Sequence, residues 1–279
     1  MSECKNRKDR DGRFSGCLLV SDLDGTLVSA GEIPLRNQEA VRWYISEGGR
    51  FALATGRSIE AARPYAEAAG VNCASIVFNG AVGYDFERES LLWQESLPTA
   101  AKSVIPGILE RFPDIGVEVH SGRELYILNR TPDVDRHIAY EHIEARDASF
   151  AETAEMDWTK VLFAMGRETG MSALHAYCEK ISLDGAYFLK TADCYYELTC
   201  GGVSKGAALP RLAGLLGVDE AHTFAIGDYY NDVELVQSAG VGCLVETAPK
   251  ELHKLADYIA CSCEKGAVAD FIAYLDQTL

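Results

Sequence analysis

No stretch of this chain stays apolar for anything near the roughly 20 residues that a membrane-spanning helix requires, and runs such as Cys17-Leu18-Leu19-Val20 end almost at once. No transmembrane segment is expected. The first residues, Met1 to Arg13, carry Lys5, Arg7, Lys8 and Arg10 and lack the apolar middle and small-residue cleavage site of a secretory signal. They read as a disordered tail. No basic stretch offsets a formal charge of -16, so like-charge repulsion argues against nucleic acid or an anionic membrane as a partner. The nine cysteines are odd in number and irregularly spaced, which points to reduced thiols and a cytoplasmic location rather than a disulfide framework. Cys261 and Cys263 stand closer than a zinc pair requires, with no His or Cys partner following. Internal repeats and low-complexity segments are also absent.

What is present is core material in alternating blocks. Hydrophobic residues make up 48% of 279 positions, enough for one large domain or two modest ones. Short apolar segments at Cys17 to Ser21, Phe51 to Thr55 and Ala74 to Phe78 read as buried strands. Helical spacing over Pro34 to Glu47, stopping at Gly48-Gly49, and over the stretch from Ser58 to Gly70 supplies the helices between them. The pattern resumes with a helix over Lys205 to Leu216, a strand over Thr223 to Ile226 and a helix over Asp232 to Ala239. Then come a strand over Val241 to Val245, a helix over Pro249 to Ala256, a strand over Tyr258 to Ala260 and a final helix from about Gly266. Pro64 and Pro210 fall inside expected helices and predict a kink or a late start. This alternation predicts an α/β fold, a Rossmann-like doubly wound parallel sheet. Between the halves, strand pairs such as Gly116 to Val119 with Glu124 to Leu128, and Val161 to Ala164, predict an inserted α+β domain. The expected division is a tail over 1–13, a core over 14–83 and 191–279, and an insertion over 84–190.

Three polar clusters follow expected strands: Asp22-Leu23-Asp24-Gly25-Thr26, Thr55-Gly56-Arg57, and Gly227-Asp228-Tyr229-Tyr230-Asn231-Asp232. Each alone is ordinary turn chemistry. In a parallel sheet, however, all strand C-termini share one edge, so the clusters converge on one crevice. Asp22, Asp24, Asp228 and Asp232 gathered there would repel by on the order of several kcal/mol per close pair unless a cation sat among them. Oxygen donors beside a phosphate suit Mg²⁺. Lys205, at an expected helix start, supplies a second fixed positive charge.

On these residues the chain resembles the haloacid dehalogenase superfamily, in particular the Cof-like phosphatases with a type IIB cap. The resemblance runs from Cys17 onward, with the motifs at Asp22, Thr55, Lys205 and Asp228 in the family's order. It implies that Asp22 is the nucleophile and forms an aspartyl-phosphate, and that Asp24 is the general acid and base. It implies further that Thr55, the Gly56 amide and Asn231 hold the phosphoryl group, and that Lys205 offsets developing charge and orients Asp22. Magnesium would be bound by Asp22, the Asp24 carbonyl and Asp228, with Asp232 behind as a partner of Lys205 and Thr26 in support. Arg57 completes the family's Thr-Gly-Arg triplet and is expected to face the phosphate, or to be an exposed structural arginine. Tyr229 stands where the family usually has Asn, and Val245-Glu246-Thr247-Ala248 replaces a usual Met-Gly-Asn-Ala.

The acidic residue two after the nucleophile points to phosphate chemistry, because family members that attack carbon have no alkoxide to protonate and lack it. The leading expectation is a magnesium-dependent phosphatase acting on a small phosphorylated metabolite such as a sugar phosphate, with the inserted domain closing over the crevice. A phosphosugar mutase, a non-catalytic phosphometabolite sensor and a response-regulator receiver are the alternatives. Asp24 and Lys205 together disfavour the sensor, and the insertion disfavours the receiver. In the insertion, Glu118, His120, Arg123 and Tyr126 alternate with apolar residues and are expected on one polar face.

Overall fold

The computed structural model describes residues 12–166 and 170–279, so most of the expected tail lies outside the described residues. Arg13 does not belong to a disordered tail. Its guanidinium pairs with Asp276 at 2.6 Å and its N–H donates to the Glu47 carboxylate at 3.1 Å, contacts that tie it to two helix ends.

The chain begins with β1 (Leu18–Ser21), α1 (Leu35–Ser46), β2 (Arg50–Leu53), α2 (Ile59–Ala69), β3 (Ser75–Val77), β4 (Val82–Asp85) and β5 (Ser90–Gln94). Ser58 caps α2 by accepting from the Ala61 N–H at 3.2 Å. An inserted stretch then carries α3 (Thr99–Lys102), α4 (Ile105–Arg111), β6 (Gly116–Ser121), β7 (Glu124–Asn129), α5 (Pro132–Glu141), β8 (Arg146–Asp147), α6 (Phe150–Thr153), β9 (Trp158–Ala164), α7 (Gly170–Cys178), β10 (Ala186–Ala192) and β11 (Tyr195–Cys200). The chain closes with α8 (Lys205–Leu216), β12 (Thr223–Gly227), α9 (Val233–Gln237), β13 (Val241–Val245), β14 (Tyr258–Ala260) and α10 (Ala267–Thr278).

Two compact units result. The first comprises residues 1–57, 62–93 and 204–279; the second comprises 58–61 and 94–203. The expected insertion of 84–190 is therefore shifted at both ends. Tyr84 belongs to β4, which pairs with β3, and the residues after 190 include β11, which pairs with β9 and β10. Strand pairing sets the boundary in each case, and pairing partners are not visible in local sequence texture.

The first unit holds an all-parallel sheet in the order β14-β13-β12-β1-β2. Its central strand reads Leu-Leu-Val-Ser and is wholly buried, as a strand covered on both faces must be. Leu18, Val20, Ala52 and Ala225 pack with Leu209 and Leu212 of α8 and Leu235 of α9. The alternate residues, Leu19, Phe51 and Phe224, are fully buried on the other face. A second, three-stranded sheet runs β3-β4-β5.

Two expectations fail here. Residues 249–256 form turns and a short 3₁₀ segment at His253–Leu255 instead of an α-helix, with i→i−3 bonds from Leu252 to Pro249 and from His253 to Lys250. The late start that was one of the two outcomes expected of Pro64 and Pro210 does not occur, since α2 and α8 run through them. The missing N–H costs one ladder bond, and helices anchored by packing on either side tolerate that loss.

The second unit is built on a six-stranded sheet in the order β10-β11-β9-β6-β7-β8. One face is apolar, with Val117, Val119, Tyr126, Val161, Phe163 and Leu198 packed against Ile105, Ile108 and Leu174 of the helices. Glu118, His120, Lys160, Glu197 and Thr199 alternate with these and share the opposite face. Glu118 is fully buried and lies 2.9 Å from His137 of α5, and Lys160 reaches Glu197 at 3.0 Å. Tyr126 was expected on the polar face; it pairs with Val119 instead and lies on the apolar one. Arg123 lies in the turn between β6 and β7.

Candidate active site

Strand direction brings the polar clusters together. Asp22 follows β1, Thr55 follows β2 and Asp228 follows β12, at the C-terminal ends of neighbouring parallel strands. The Asp22 N–H donates to the Ile226 carbonyl at 2.9 Å, which fixes the start of its loop against β12. Lys205 opens α8, whose first turn is capped by the Ser204 hydroxyl accepting from the Ala207 N–H at 2.9 Å.

Lys205 is 1% exposed, and its ammonium donates to Asp22 at 2.6 Å and to Asp232 at 2.7 Å. The second oxygen of Asp232 accepts from the backbone N–H groups of Asp228 at 3.0 Å and Tyr229 at 3.2 Å. Both oxygens of Asp232 are thus engaged, and its position is that of a brace between Lys205 and the Asp228 loop. The Thr26 hydroxyl reaches Asp228 at 3.4 Å. Gly25 has φ +88°, and a Cβ there would stand 2.5 Å from an Asp228 carboxylate oxygen, so only glycine allows the two loops to approach.

Asp24 is half exposed, and the Arg57 guanidinium grips it with two bonds, at 2.7 and 2.8 Å. That fork geometry is the strong, planar form of an arginine–carboxylate pair. Arg57, expected on phosphate, is here held on Asp24 and lies 4.9 Å from the centroid of the Tyr65 ring. Thr55 is buried, and its hydroxyl accepts from the Arg57 N–H at 3.1 Å. Asn231 and Tyr229 are exposed on the loop after β12.

Carboxylate oxygens of Asp22, Asp228 and Asp232 come within 4.8 Å of one another. Burial, reinforced by Asp232, pushes Asp22 well above the usual carboxylate range against the opposing pull of Lys205. The same causes, in the same order, raise Asp228 to about 6. Burial acts to lower Lys205, but Asp22 and Asp232 outweigh it and hold the ammonium above its ordinary value. One ammonium does not balance three gathered carboxylates. An all-oxygen, over-charged cluster of this kind fits a hard divalent cation.

Sequence reasoning did not single out Tyr65, nor the segment Phe78-Asn79-Gly80 that adjoins Thr55. The Asn-Gly pair after β3 was the available signal.

Residues 19–272 match the haloacid dehalogenase-like hydrolases. Phosphatase YwpJ of Bacillus subtilis is 25% identical over 92% of this chain and 99% of its own length. Among solved structures, a haloacid dehalogenase-like hydrolase from Bacteroides thetaiotaomicron superposes with a TM-score of 0.83 at 25% identity, covering 93% of this chain and 99% of that one. A subclass IIB sugar phosphatase of the superfamily superposes with a TM-score of 0.78 at 17% identity, covering 93% and 98%. The chain belongs to the haloacid dehalogenase-like hydrolases, as a Cof-like phosphatase. No helix among the described residues is long and apolar enough to cross a membrane.

Proposed function

We propose that this phosphatase hydrolyses a small phosphorylated metabolite, in the first instance a sugar phosphate, through a covalent phosphate on Asp22 and with Mg²⁺ as cofactor. The observation that carries the reading is the Asp22 carboxylate held at 2.6 Å by a buried Lys205, with a second carboxylate, Asp24, two residues on. An oxygen of Asp22 attacks phosphorus, the ester P–O bond breaks, and Asp24 gives its proton to the departing alkoxide. In the second half, water attacks the same phosphorus, Asp24 takes the water's proton, and the bond to Asp22 breaks to release inorganic phosphate. Lys205 orients Asp22 and offsets charge developing on the phosphoryl oxygens, while Thr55, the Gly56 N–H and Asn231 hold those oxygens. Arg57 holds both carboxylate oxygens of Asp24 at rest, and Asp24 takes up its proton and serves the leaving group once that pair opens. Asp22, the Asp24 carbonyl and Asp228 would hold the metal, which when bound supplies the positive charge that lets an anionic nucleophile approach an anionic phosphate.

The test is turnover of p-nitrophenyl phosphate with and without Mg²⁺, followed by a panel of phosphosugars and other small phosphoesters. Chelator-sensitive hydrolysis with a phosphosugar among the better substrates supports the reading. Undiminished hydrolysis in chelator removes the metal, and preference for a phosphorylated protein over every small phosphoester removes the substrate class.

A further inference from the structure

Beyond β3 the backbone adopts a conformation that its own residues disfavour. Phe78 (φ 50°), Asn79 (φ 53°) and Gly80 (φ 107°) lie consecutively in the left-handed region, where residues bearing a Cβ are rare and bulky ones are outliers. Such a run persists only where its surroundings over-determine it. Here the surroundings are two of the site's own clusters. The Phe78 N–H donates to the Arg57 carbonyl at 3.0 Å and the Asn79 N–H donates to the Thr55 carbonyl at 2.9 Å. The two bonds bracket Thr55-Gly56-Arg57. The Asn79 side-chain amide abuts Gly56: a Cβ on that glycine would stand 3.0 Å from both Nδ2 and Oδ1. Asn79 Oδ1 is buried and makes no hydrogen bond among the described residues. Gly80 meets the other cluster. A Cβ there would stand 2.1 Å from the Ser204 carbonyl oxygen and 3.2 Å from the Lys205 nitrogen, and the Gly80 carbonyl is held by the Trp93 indole at 3.1 Å.

We infer that Phe78-Asn79-Gly80 is a brace that fixes the Thr55-Gly56 turn relative to the start of the Lys205 helix, with Asn79 a positioning residue for the phosphoryl group. The inference rests on the proposed role of Thr55 and Gly56 as the phosphate holders. Asn79 acts on one side, through the turn that grips oxygens, and Gly80 acts on the other, through the backbone that aims Lys205 at Asp22. The two residues should therefore have separable effects.

Asn79→Gly keeps the left-handed backbone at no steric cost and deletes only the amide. It should raise KM for p-nitrophenyl phosphate and the inhibition constant of inorganic phosphate by about tenfold, since small misplacement of a positioning group costs this much or more, with kcat and melting temperature little changed. Gly80→Ala should lower kcat by about tenfold or more while moving phosphate inhibition much less. Amide hydrogen exchange across residues 54–57, read on the unliganded protein, should quicken in Asn79→Gly and stay unchanged in β9 and β11. That arm decides the brace even if the parent protein proves inactive, an outcome that would overturn the proposed reaction instead. If Gly80→Ala does not fold, Asn79→Gly carries the test alone. Asn79→Gly within about twofold of the parent in KM and phosphate inhibition, or with unchanged exchange across 54–57, overturns the inference.

Discussion

Asp22 is only 6% exposed and shares Lys205 with Asp232, so a substitution there has to separate charge from shape. Asp22→Asn keeps the shape and removes the proposed attacking anion; kcat should fall by at least about a thousandfold, a barrier increase of about 4 kcal/mol. Loss of less than about tenfold in steady-state kinetics would remove Asp22 as nucleophile. Gly25→Ala tests the neighbouring loop by sterics alone, since its Cβ would stand 2.5 Å from an Asp228 oxygen at φ +88°. The Mg²⁺ concentration for half-maximal activity should rise by about tenfold or more, measured by metal titration, and an unchanged value would mean that Asp228 can move freely. At this scale the sequence was informative because Asp22, Thr55, Lys205 and Asp228 each follow a strand end or begin a helix, positions that topology alone brings together. The partner of Arg57 was not legible: 33 residues separate it from Asp24, and a guanidinium serves a phosphate or a carboxylate equally well.

The helix α8 shows how an element turns one side chain into a structural and chemical hinge. Its N-terminus places Lys205 between Asp22 and Asp232 in a region with almost no solvent, where removal of the cation leaves two buried carboxylates uncompensated. Lys205→Met should abolish turnover and also destabilise the metal-free protein by about 3–5 kcal/mol, read from urea unfolding. A stable but inactive variant would show that the carboxylates simply protonate when Lys205 is lost. Elements with a strong local signature were readable from sequence: α8 and β13 match their expected bounds, and Gly217 at φ 65° ends α8 as its position foretold. Residues 249–256 misled because Pro249 and the apolar Leu252 and Leu255 resemble a helix start, whereas the segment folds into turns and a short 3₁₀ stretch. The face of Tyr126 was misjudged for a different reason. Register, not composition, decides which side of a strand a residue occupies, and Tyr126 is paired with Val119.

At the scale of the whole molecule, the two-unit division was legible as a change from strand–helix alternation to antiparallel pairs, but its edges depend on pairings between strands remote in sequence. The charge balance of the first unit carries the last prediction. Burial and Asp232 hold Asp228 at about 6 and push Asp22 well above its ordinary value, while both groups in the unfolded chain titrate near about 4. Between these values the folded, metal-free protein therefore binds more protons than the unfolded chain. The contribution of these two groups to stability should fall as pH rises from about 4 through about 6, which is the reverse of the behaviour of a salt-bridged carboxylate. The proposed Mg²⁺ would compete with those protons for the same oxygens, so its stabilising effect should be small near pH 5 and grow towards pH 7.5. The measurement is the melting temperature with chelator and with millimolar Mg²⁺ at both pH values, alongside Asp228→Asn. The parent protein should gain a few degrees from Mg²⁺ at pH 7.5 and almost nothing at pH 5, and the variant should show little gain at either. An equal shift at both pH values, or a shift preserved in Asp228→Asn, would place the cation away from this carboxylate cluster.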